Sequence, residues 1–460
     1  MGWVCNQLGQ VEVMAQGNPQ SLADFGGELI SCAPPIAQPR IESVEEVESG
    51  AYADFVIVAS REDDTPRIHL PPDYFLCQDC LAEMRDPHNR RYRYPFINCT
   101  QCGPRYTLIK RLPYDRPNTT MAHFPLCRDC RGEYEDPNNR RFHAEPNACA
   151  VCGPSLVLHD PNGQIVHDTQ AALQGAVDLI KSGHIVAVKG IGGYHLFCDA
   201  RNDVAIARLR VKKPRPDKPL AVLFPQRGDD GLDALREQVL LNTEEKKLLT
   251  GSRRPIVLAR KQARCLLSEA IAPTLNEIGV MLPHSPLHHL LAEDFGGALV
   301  ATSANISGEP VLTSNGEVED RLGKVAEAYL HHNRPIERPA DDSVYRTIRG
   351  KPRPLRLGRG YAPVELDLPF CLDKPVLAVG GHIKNTIALG WLQRVVMSPH
   401  IGDLHAARSQ AVFEQVIANL QSLYNVKPET VVCDAHPGYA STRWARQCGL
   451  PMEKVYHHHA

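Results

Sequence analysis

The 460-residue sequence has no run of about 18 uninterrupted apolar residues, the length a membrane-crossing helix requires, so no membrane partner is expected. Its opening, Met1-Gly2-Trp3-Val4-Cys5-Asn6, lacks the basic, apolar and small-residue succession of a secretion signal, which makes the cytoplasm the expected home. Net charge is also nearly absent. Fifty-one basic against 53 acidic side chains leave -2, so there is no global field for grasping nucleic acid and any anion site must be local. Cysteine, in contrast, is plentiful. Fifteen thiols in a reducing compartment point to metal binding or catalysis before disulfides. With 43% hydrophobic and 23% charged residues the chain can bury ordinary cores, and its length suggests about three domains.

Hydrophobic periodicity divides the chain into four parts. Residues 1–62 carry strand patterns at 11–14, 41–47 and 55–58 around a helical stretch at 21–30, a small α+β unit. Residues 63–160 are rich in Pro, Arg, Asn and paired cysteines and have little apolar periodicity, so something other than hydrophobic burial should hold them. Residues 165–360 alternate strand patterns (184–188, 219–224) with helical ones (169–181, 235–249), an α/β domain. A Pro-studded link at 353–375 leads to a last unit, 370–460, opening on a strand at 376–379; its helix would set Phe413, Val416, Ile417, Leu420 and Tyr424 on one face.

The second part is duplicated. Cys77-x2-Cys80-x18-Cys99-x2-Cys102 recurs at an offset of 50 residues as Cys127-x2-Cys130-x18-Cys149-x2-Cys152, with Glu83/Glu133, Asn89-Arg90-Arg91/Asn139-Arg140-Arg141 and Gly103-Pro104/Gly153-Pro154 repeating alongside. Two C-x2-C knuckles complete the tetrahedron that Zn²⁺ accepts, so each half predicts one structural zinc, closed to water and hence not catalytic. Iron-sulfur ligation and exchange of ligands between the halves stay open.

In the α/β domain the run Arg210-Val211-Lys212-Lys213-Pro214-Arg215-Pro216-Asp217-Lys218 ends a helical pattern just before a strand, where it could focus potential on phosphates or simply face solvent. Thr302-Ser303-Ala304-Asn305 ends another strand and offers hydroxyl and amide groups there. Gly190-Ile191-Gly192-Gly193-Tyr194-His195 follows a third, as a turn or a close approach to ligand. Together these segments resemble the YrdC-like family of ATP-binding, acyl-adenylate-forming domains, whose K-x-R and S-x-N signatures fall on Lys213, Arg215, Ser303 and Asn305. The resemblance implies that Lys213 and Arg215, with Lys218 beside them, offset charge on the triphosphate, while Thr302, Ser303 and Asn305 hold phosphate or acyl oxygens. The stretch 189–200 further matches K-G-I-G-G-[FY]-H-x-x-C-D-A, the HypF version of the opening motif, which implies that Lys189 and His195 line a carbamate pocket.

The last unit carries Gly380-Gly381-His382-Ile383-Lys384-Asn385 between strand patterns, either an ordinary turn or a phosphate-binding hairpin of the actin and sugar-kinase type. It continues with Ser398-Pro399-His400-Ile401-Gly402-Asp403, then Asp434-Ala435-His436-Pro437, and His457-His458-His459-Ala460. In this order the segments resemble the carbamoyltransferase domain of HypF-type carbamoyltransferases. The family's terminal H-H-H-A-H motif ligates a metal through its first and fifth positions; His457 would be the first, and the fifth would fall beyond Ala460. A purification tag is the other reading of such a run. Gly2-Trp3-Val4-Cys5-Asn6 resembles an acylphosphatase segment whose asparagine, here Asn6, orients attacking water; the family's Arg loop would lie upstream, so the chain is expected to be cut at both ends.

The resemblance implies a multi-domain α/β and α+β protein: acylphosphatase-like remnant (1–62), double C4 zinc module (63–160), YrdC-like domain (165–360) and part of a kinase-like domain (370–460). It also implies two structural Zn²⁺, ATP with Mg²⁺ and a further divalent metal at His457, with Asp434 and His436 in the carbamoyl or acceptor pocket. The chemistry implied is hydrolysis of carbamoyl phosphate to carbamate, adenylation of carbamate by ATP, and carbamoyl transfer to the C-terminal cysteine thiol of a HypE-type partner during nickel-iron hydrogenase maturation. Two rivals remain: a zinc-stabilised nucleic-acid-binding or tRNA-modification module, and a non-catalytic HypE-binding fragment.

Overall fold

The computed structural model describes residues 1–7, 10–33, 39–48, 50–61, 70–214, 217–306 and 308–459, with backbone alone at 6, 7, 10 and 59–61. The first unit is a three-stranded sheet in which Gly2–Gln7 pairs antiparallel with Gln10–Ala15 and parallel with Phe55–Arg61. The helix Pro19–Ser31 connects them, capped by Asn18 accepting from Ser21 N at 2.8 Å. The strand expected at 41–47 does not form. Ile41, Val44 and Val47 are all exposed, so that run lacks the covered face that makes alternation into a strand.

A mixed twelve-stranded sheet forms the centre. Leu299–Ser303, Tyr194–Asp199, Val186–Lys189 and Ala328–His332 lie side by side within it, and their ends carry the residues singled out above. The helix Thr169–Lys181 forms as expected. The helix expected at 235–249 is instead Asp233–Arg236, a strand Val239–Leu240 and the helix Thr243–Thr250. Asn242 starts the last through a reciprocal cap with Glu245, a local signal strong enough to break the longer pattern. The 219–224 strand shrinks to Val222–Leu223.

The last unit is a four-stranded sheet, Ala388–Met397, Val364–Ala378, Thr430–Asp434 and Met452–Val455, with Ala407–Tyr424 burying Phe413, Val416, Ile417, Leu420 and Tyr424 as expected. Most of the 353–375 link is strand. Val364–Ala378 runs through Pro369 and Pro375 because its pairing shifts register between Asp367 and Leu372 and again before Val376, where no amide is demanded of the prolines.

The cysteine-rich part is not held by metal alone. Leu76, Met84, Tyr94, Phe96, Ile97, Leu108 and Met121 join Val186, Val188, Phe197, Leu299 and Leu330 in one core, so apolar residues too scattered to show periodicity are buried against the neighbouring sheet. Within the duplication the arginine pairs cross over. Arg91 donates to Glu133 Oε1 at 2.9 Å, Ala148 O at 2.9 Å and Asn147 Oδ1 at 3.0 Å in the second repeat. Arg140 and Arg141 of the second repeat reach back to Glu83, and Arg141 to Asn98 O at 3.0 Å. Burial raises Glu133, but its bonds to Arg91 outweigh that and hold its carboxyl at about 2.

Because Arg91 is 1% exposed and its partners would be stranded, Arg91→Met should cost about 3–5 kcal/mol in urea unfolding of the zinc-loaded chain. Arg131→Met, which breaks an exposed pair with Glu135, should cost under about 0.5 kcal/mol; equal losses would refute the crossed-pair assignment.

Candidate functional site

Each cysteine frame closes on itself. Cys77, Cys80, Cys99 and Cys102 gather within 4.8 Å of one another, and so do Cys127, Cys130, Cys149 and Cys152, so ligands are not exchanged between repeats. The Sγ separations, 3.7 Å for Cys77–Cys99 and 3.8 Å for Cys99–Cys102, Cys127–Cys149 and Cys149–Cys152, match the edge of about 3.8 Å of a tetrahedron with 2.3 Å metal–sulfur bonds and far exceed a disulfide. The donor set therefore fits zinc. Cys77 and Cys127 are the N-caps of the helices Gln78–Arg85 and Arg128–Glu135, where free backbone amides favour a thiolate. Arginine is what crosses over: Arg140 Nη1 lies 3.2 Å from Cys80 Sγ, and Arg90 Nη2 3.3 Å from Cys130 Sγ, damping the negative charge of a tetrathiolate.

Residues 92 positions apart meet at the strand mouth. Lys213, at the C-terminal end of the helix Asp203–Lys212, is 3% exposed and donates to Ser303 O and, at 2.9 Å, to Asn305 Oδ1. Ser303 Oγ also donates to Asn305 Oδ1 at 3.0 Å, while Asn305 Nδ2 donates to Glu309 O and Thr302 is buried one residue back. The rest of the cationic run disperses. Arg210 turns to Ala270 O and Ile271 O, Lys212 pairs with Glu327 at 2.9 Å, and Lys218 stays exposed. Arg215 lies outside the described residues, as does the side chain of Asn6.

Lys189, 4% exposed, donates to Asn315 Oδ1 at 2.7 Å and His332 O at 3.2 Å; burial, then Arg334, pulls its ammonium down to about 8. His195 bonds through Nε2 to Asp342 Oδ2 at 2.8 Å, and Asp342 Oδ1 accepts from Arg359 Nε at 2.8 Å. Burial raises Asp342, but Arg359 and His195 overcome it and hold the carboxyl well below its usual range. Gly192 has no room for a side chain, since a Cβ would stand 2.4 Å from Ala340 O. Asn315, His332, Arg334, Asp342 and Arg359 escaped sequence reasoning. A dense polar run after the strand Ala328–His332, like that after Leu299–Ser303, was the available signal.

In the last sheet the separate motifs also converge. His457 Nδ1 lies 2.6 Å from Asp434 Oδ2, His436 N donates to Asp434 Oδ1 at 2.8 Å, and Ser441 Oγ bonds Gly380 O at 3.0 Å and Gly381 O at 3.3 Å. Gly380 needs its freedom at φ +61, whereas a Cβ at Gly381 would meet nothing. Asn385 ties the turn through Val379 O at 2.9 Å and Gly381 O at 2.6 Å, and Lys384 N donates to Asp403 Oδ1 at 2.9 Å. An imidazole held on one nitrogen by a carboxylate suits a metal ligand, but among the described residues His457 belongs to no group of three or more side chains that could hold a metal.

Residues 76–109 and 126–159 match the HypF finger, 178–358 the family described as telomere recombination, and 372–460 the HypF Kae1-like domain. The carbamoyltransferase HypF of Synechocystis is 46% identical over all of this chain and 59% of its own length. A crystal structure of full-length HypF in the phosphate- and nucleotide-bound form superimposes with a TM-score of 0.92 at 39% identity, covering 100% of this chain and 59% of that one. The chain belongs to the HypF carbamoyltransferase family. It spans about three-fifths of the length of these HypF relatives. Threonylcarbamoyl-AMP synthase of Vibrio vulnificus is 30% identical over 33% of the chain and 81% of its own length. No helix among the described residues is long and apolar enough to cross a membrane.

Cys80→Ser should halve the zinc bound per chain, measured by elemental analysis of the purified protein, while Cys198→Ser should leave it unchanged; the reverse would refute the frames. Between about 8 and 10.5 the folded chain binds fewer protons at Lys189 than the unfolded chain, so this group makes stability rise with pH across that window. Urea unfolding of wild type against Lys189→Met should show that slope in the wild type alone.

Proposed function

We propose that this chain carries out the carbamate-adenylating step of a carbamoyltransferase that serves nickel-iron hydrogenase maturation in the cytoplasm. The contact of Lys213 with Ser303 and Asn305 is the observation that carries the reading. Carbamate oxygen attacks the α-phosphorus of ATP, the bond to the β-phosphate oxygen breaks, and carbamoyl-adenylate and pyrophosphate result. Lys213, Arg215 and Lys218 offset charge on the β- and γ-phosphates; Thr302, Ser303 and Asn305 orient phosphate and acyl oxygens; Lys189 and His195 hold carbamate, His195 being fixed by Asp342. ATP is taken as its Mg²⁺ complex.

In the complete reaction, water releases carbamate from carbamoyl phosphate at a domain to which 1–62 belongs, with Asn6 orienting it. The carbamoyl group then passes from the adenylate to the C-terminal thiol of a HypE-type protein, forming a thiocarbamate and freeing AMP, at the kinase-like part (370–460). There Gly380, Gly381, Lys384 and Asn385 bind phosphates, Asp434 and His436 line the acceptor pocket, and His457 ligates a divalent metal. Zinc in the 63–160 module stabilises the wall of the 165–360 domain.

Carbamate-dependent exchange of labelled pyrophosphate into ATP tests the adenylation. The zinc-loaded chain should catalyse it, and Lys213→Met should slow it about 100-fold, the scale for loss of one preorganised charge-stabilising donor. A folded wild-type chain that supports no exchange would overturn the proposal.

A further inference from the structure

Among the described residues, one further group of side chains outside the cysteine frames converges closely enough to hold an ion: His159, Glu319 and His331, whose ligand atoms all lie within 4.8 Å of one another. His159 closes the strand Leu156–His159, and His331 lies on its antiparallel neighbour Ala328–His332. Tyr329 pairs with His159 and Val157 with His331, so the two imidazoles sit diagonally on one face of the sheet. The helix Asn315–Leu322 brings Glu319 to them, with Oε1 2.6 Å from His159 Nδ1 and 2.8 Å from His331 Nε2.

The protons around His331 fall one short. Its other nitrogen, Nδ1, is 2.6 Å from Tyr194 Oη, and Tyr194 Oη is 2.8 Å from Asn315 Oδ1. That Asn315 atom is the oxygen, because the Lys189 ammonium, which has donors only, approaches it at 2.7 Å. The contacts Asn315–Tyr194, Tyr194–His331 and His331–Glu319 each need a proton, whereas a phenol and a neutral imidazole bring two between them. However these are shared, one pair of acceptors is left face to face at 2.8 Å or less. Charging the imidazole would supply the third proton, at the cost of placing a cation on a side chain that is 3% exposed. A metal ion held by Nε2 and the carboxylate completes the chain instead, with Nδ1–H donating to Tyr194 and Tyr194 donating to Asn315.

The donor set suits such an ion. Two imidazoles and a carboxylate are ligands for divalent ions of the Zn²⁺ and Co²⁺ class, and a hydrogen bond behind the ring, here to Tyr194, is what orients a ligating histidine. With bonds of about 2.0–2.1 Å in a tetrahedron the ligand atoms stand about 3.3 Å apart, so the two Glu319 contacts need lengthen by only about 0.5–0.7 Å. The His159 and Glu319 side chains are 34% and 36% exposed, so an ion can enter from solvent and keep a position for water.

We propose that His159 Nδ1, Glu319 Oε1 and His331 Nε2 form a site for a divalent transition ion, separate from the cysteine frames and from His457. It does not depend on the adenylation reading. With three protein ligands, two of them partly exposed, it holds its ion more weakly than four cysteines do and loses it during purification. The ion sets the proton order of the network that reaches Lys189 through Tyr194 and Asn315.

The test adds Co²⁺ to the purified chain with zinc in both cysteine frames and with His457→Ala, so that His457 contributes no ligand. One Co²⁺ per chain should bind, with the weak visible absorption of nitrogen and oxygen ligation and without the intense thiolate band that entry into a cysteine frame would give. Tyr194→Phe, which removes the bond behind His331, should weaken uptake about 10–100-fold. His159→Ala, on a partly exposed side chain that the fold does not need, and Glu319→Gln remove ligands and should weaken it further still. Absence of uptake, or uptake that His159→Ala and Glu319→Gln leave unchanged, would overturn the proposal; a doubly protonated His331 in nitrogen-15 spectra would then show an ion pair with Glu319 in the metal's place.

Discussion

Cations withdrawn from water set the terms for the centre of this protein. Lys189, 4% exposed, donates to the neutral oxygens of Asn315 and His332, and Arg334, 5% exposed, rests against the Phe96 ring. Desolvating such groups is costly, and carbonyl or amide oxygens repay only part of that cost. Burial pulls the Lys189 ammonium down to about 8, the same shortfall expressed as a preference for the neutral amine. An arrangement of this kind favours a bound anion, and it is on such electrostatic preorganisation that the proposed adenylation would draw.

The zinc module belongs to the same economy of space. Its sulfurs fix two small frames, its crossed arginines bind each frame to the other repeat, and its apolar residues complete the core on one face of the large sheet. Phe96, two residues from the Asn98 that Arg141 holds and three from the ligand Cys99, faces Arg334. The cysteine frames, the repeat pairing and the contact with Arg334 are therefore continuous, and four cysteines around one centre would leave a zinc no open position, which fits a role in shape rather than in reaction.

Much of this was legible in the residues. The cysteine spacing specified both frames, and the K-x-R and S-x-N patterns marked Lys213, Ser303 and Asn305, which the fold brings into contact. Helical periodicity located Thr169–Lys181 and the buried face of Ala407–Tyr424. Other features were hidden for physical reasons. The capping box at Asn242 overrode a continuous apolar pattern, and register shifts let Val364–Ala378 absorb two prolines. The apolar residues of the zinc module follow no period because they dock on a partner sheet rather than on each other. Arg334, His332, Asp342 and Arg359 matter through contacts across long sequence separations, such as the 147 positions between His195 and Asp342, that spacing alone does not encode.

The adenylation itself is tested most directly by following an atom. With carbamate labelled by oxygen-18 and unlabelled ATP, attack on the α-phosphorus places one labelled oxygen between carbon and phosphorus, and later cleavage at carbon leaves that oxygen in AMP. Labelled AMP together with unlabelled pyrophosphate is the expected result. Label in inorganic phosphate, with ADP as the nucleotide product, would mean attack at the γ-phosphorus and would contradict the assignment of the Lys213, Ser303 and Asn305 site to adenylate formation.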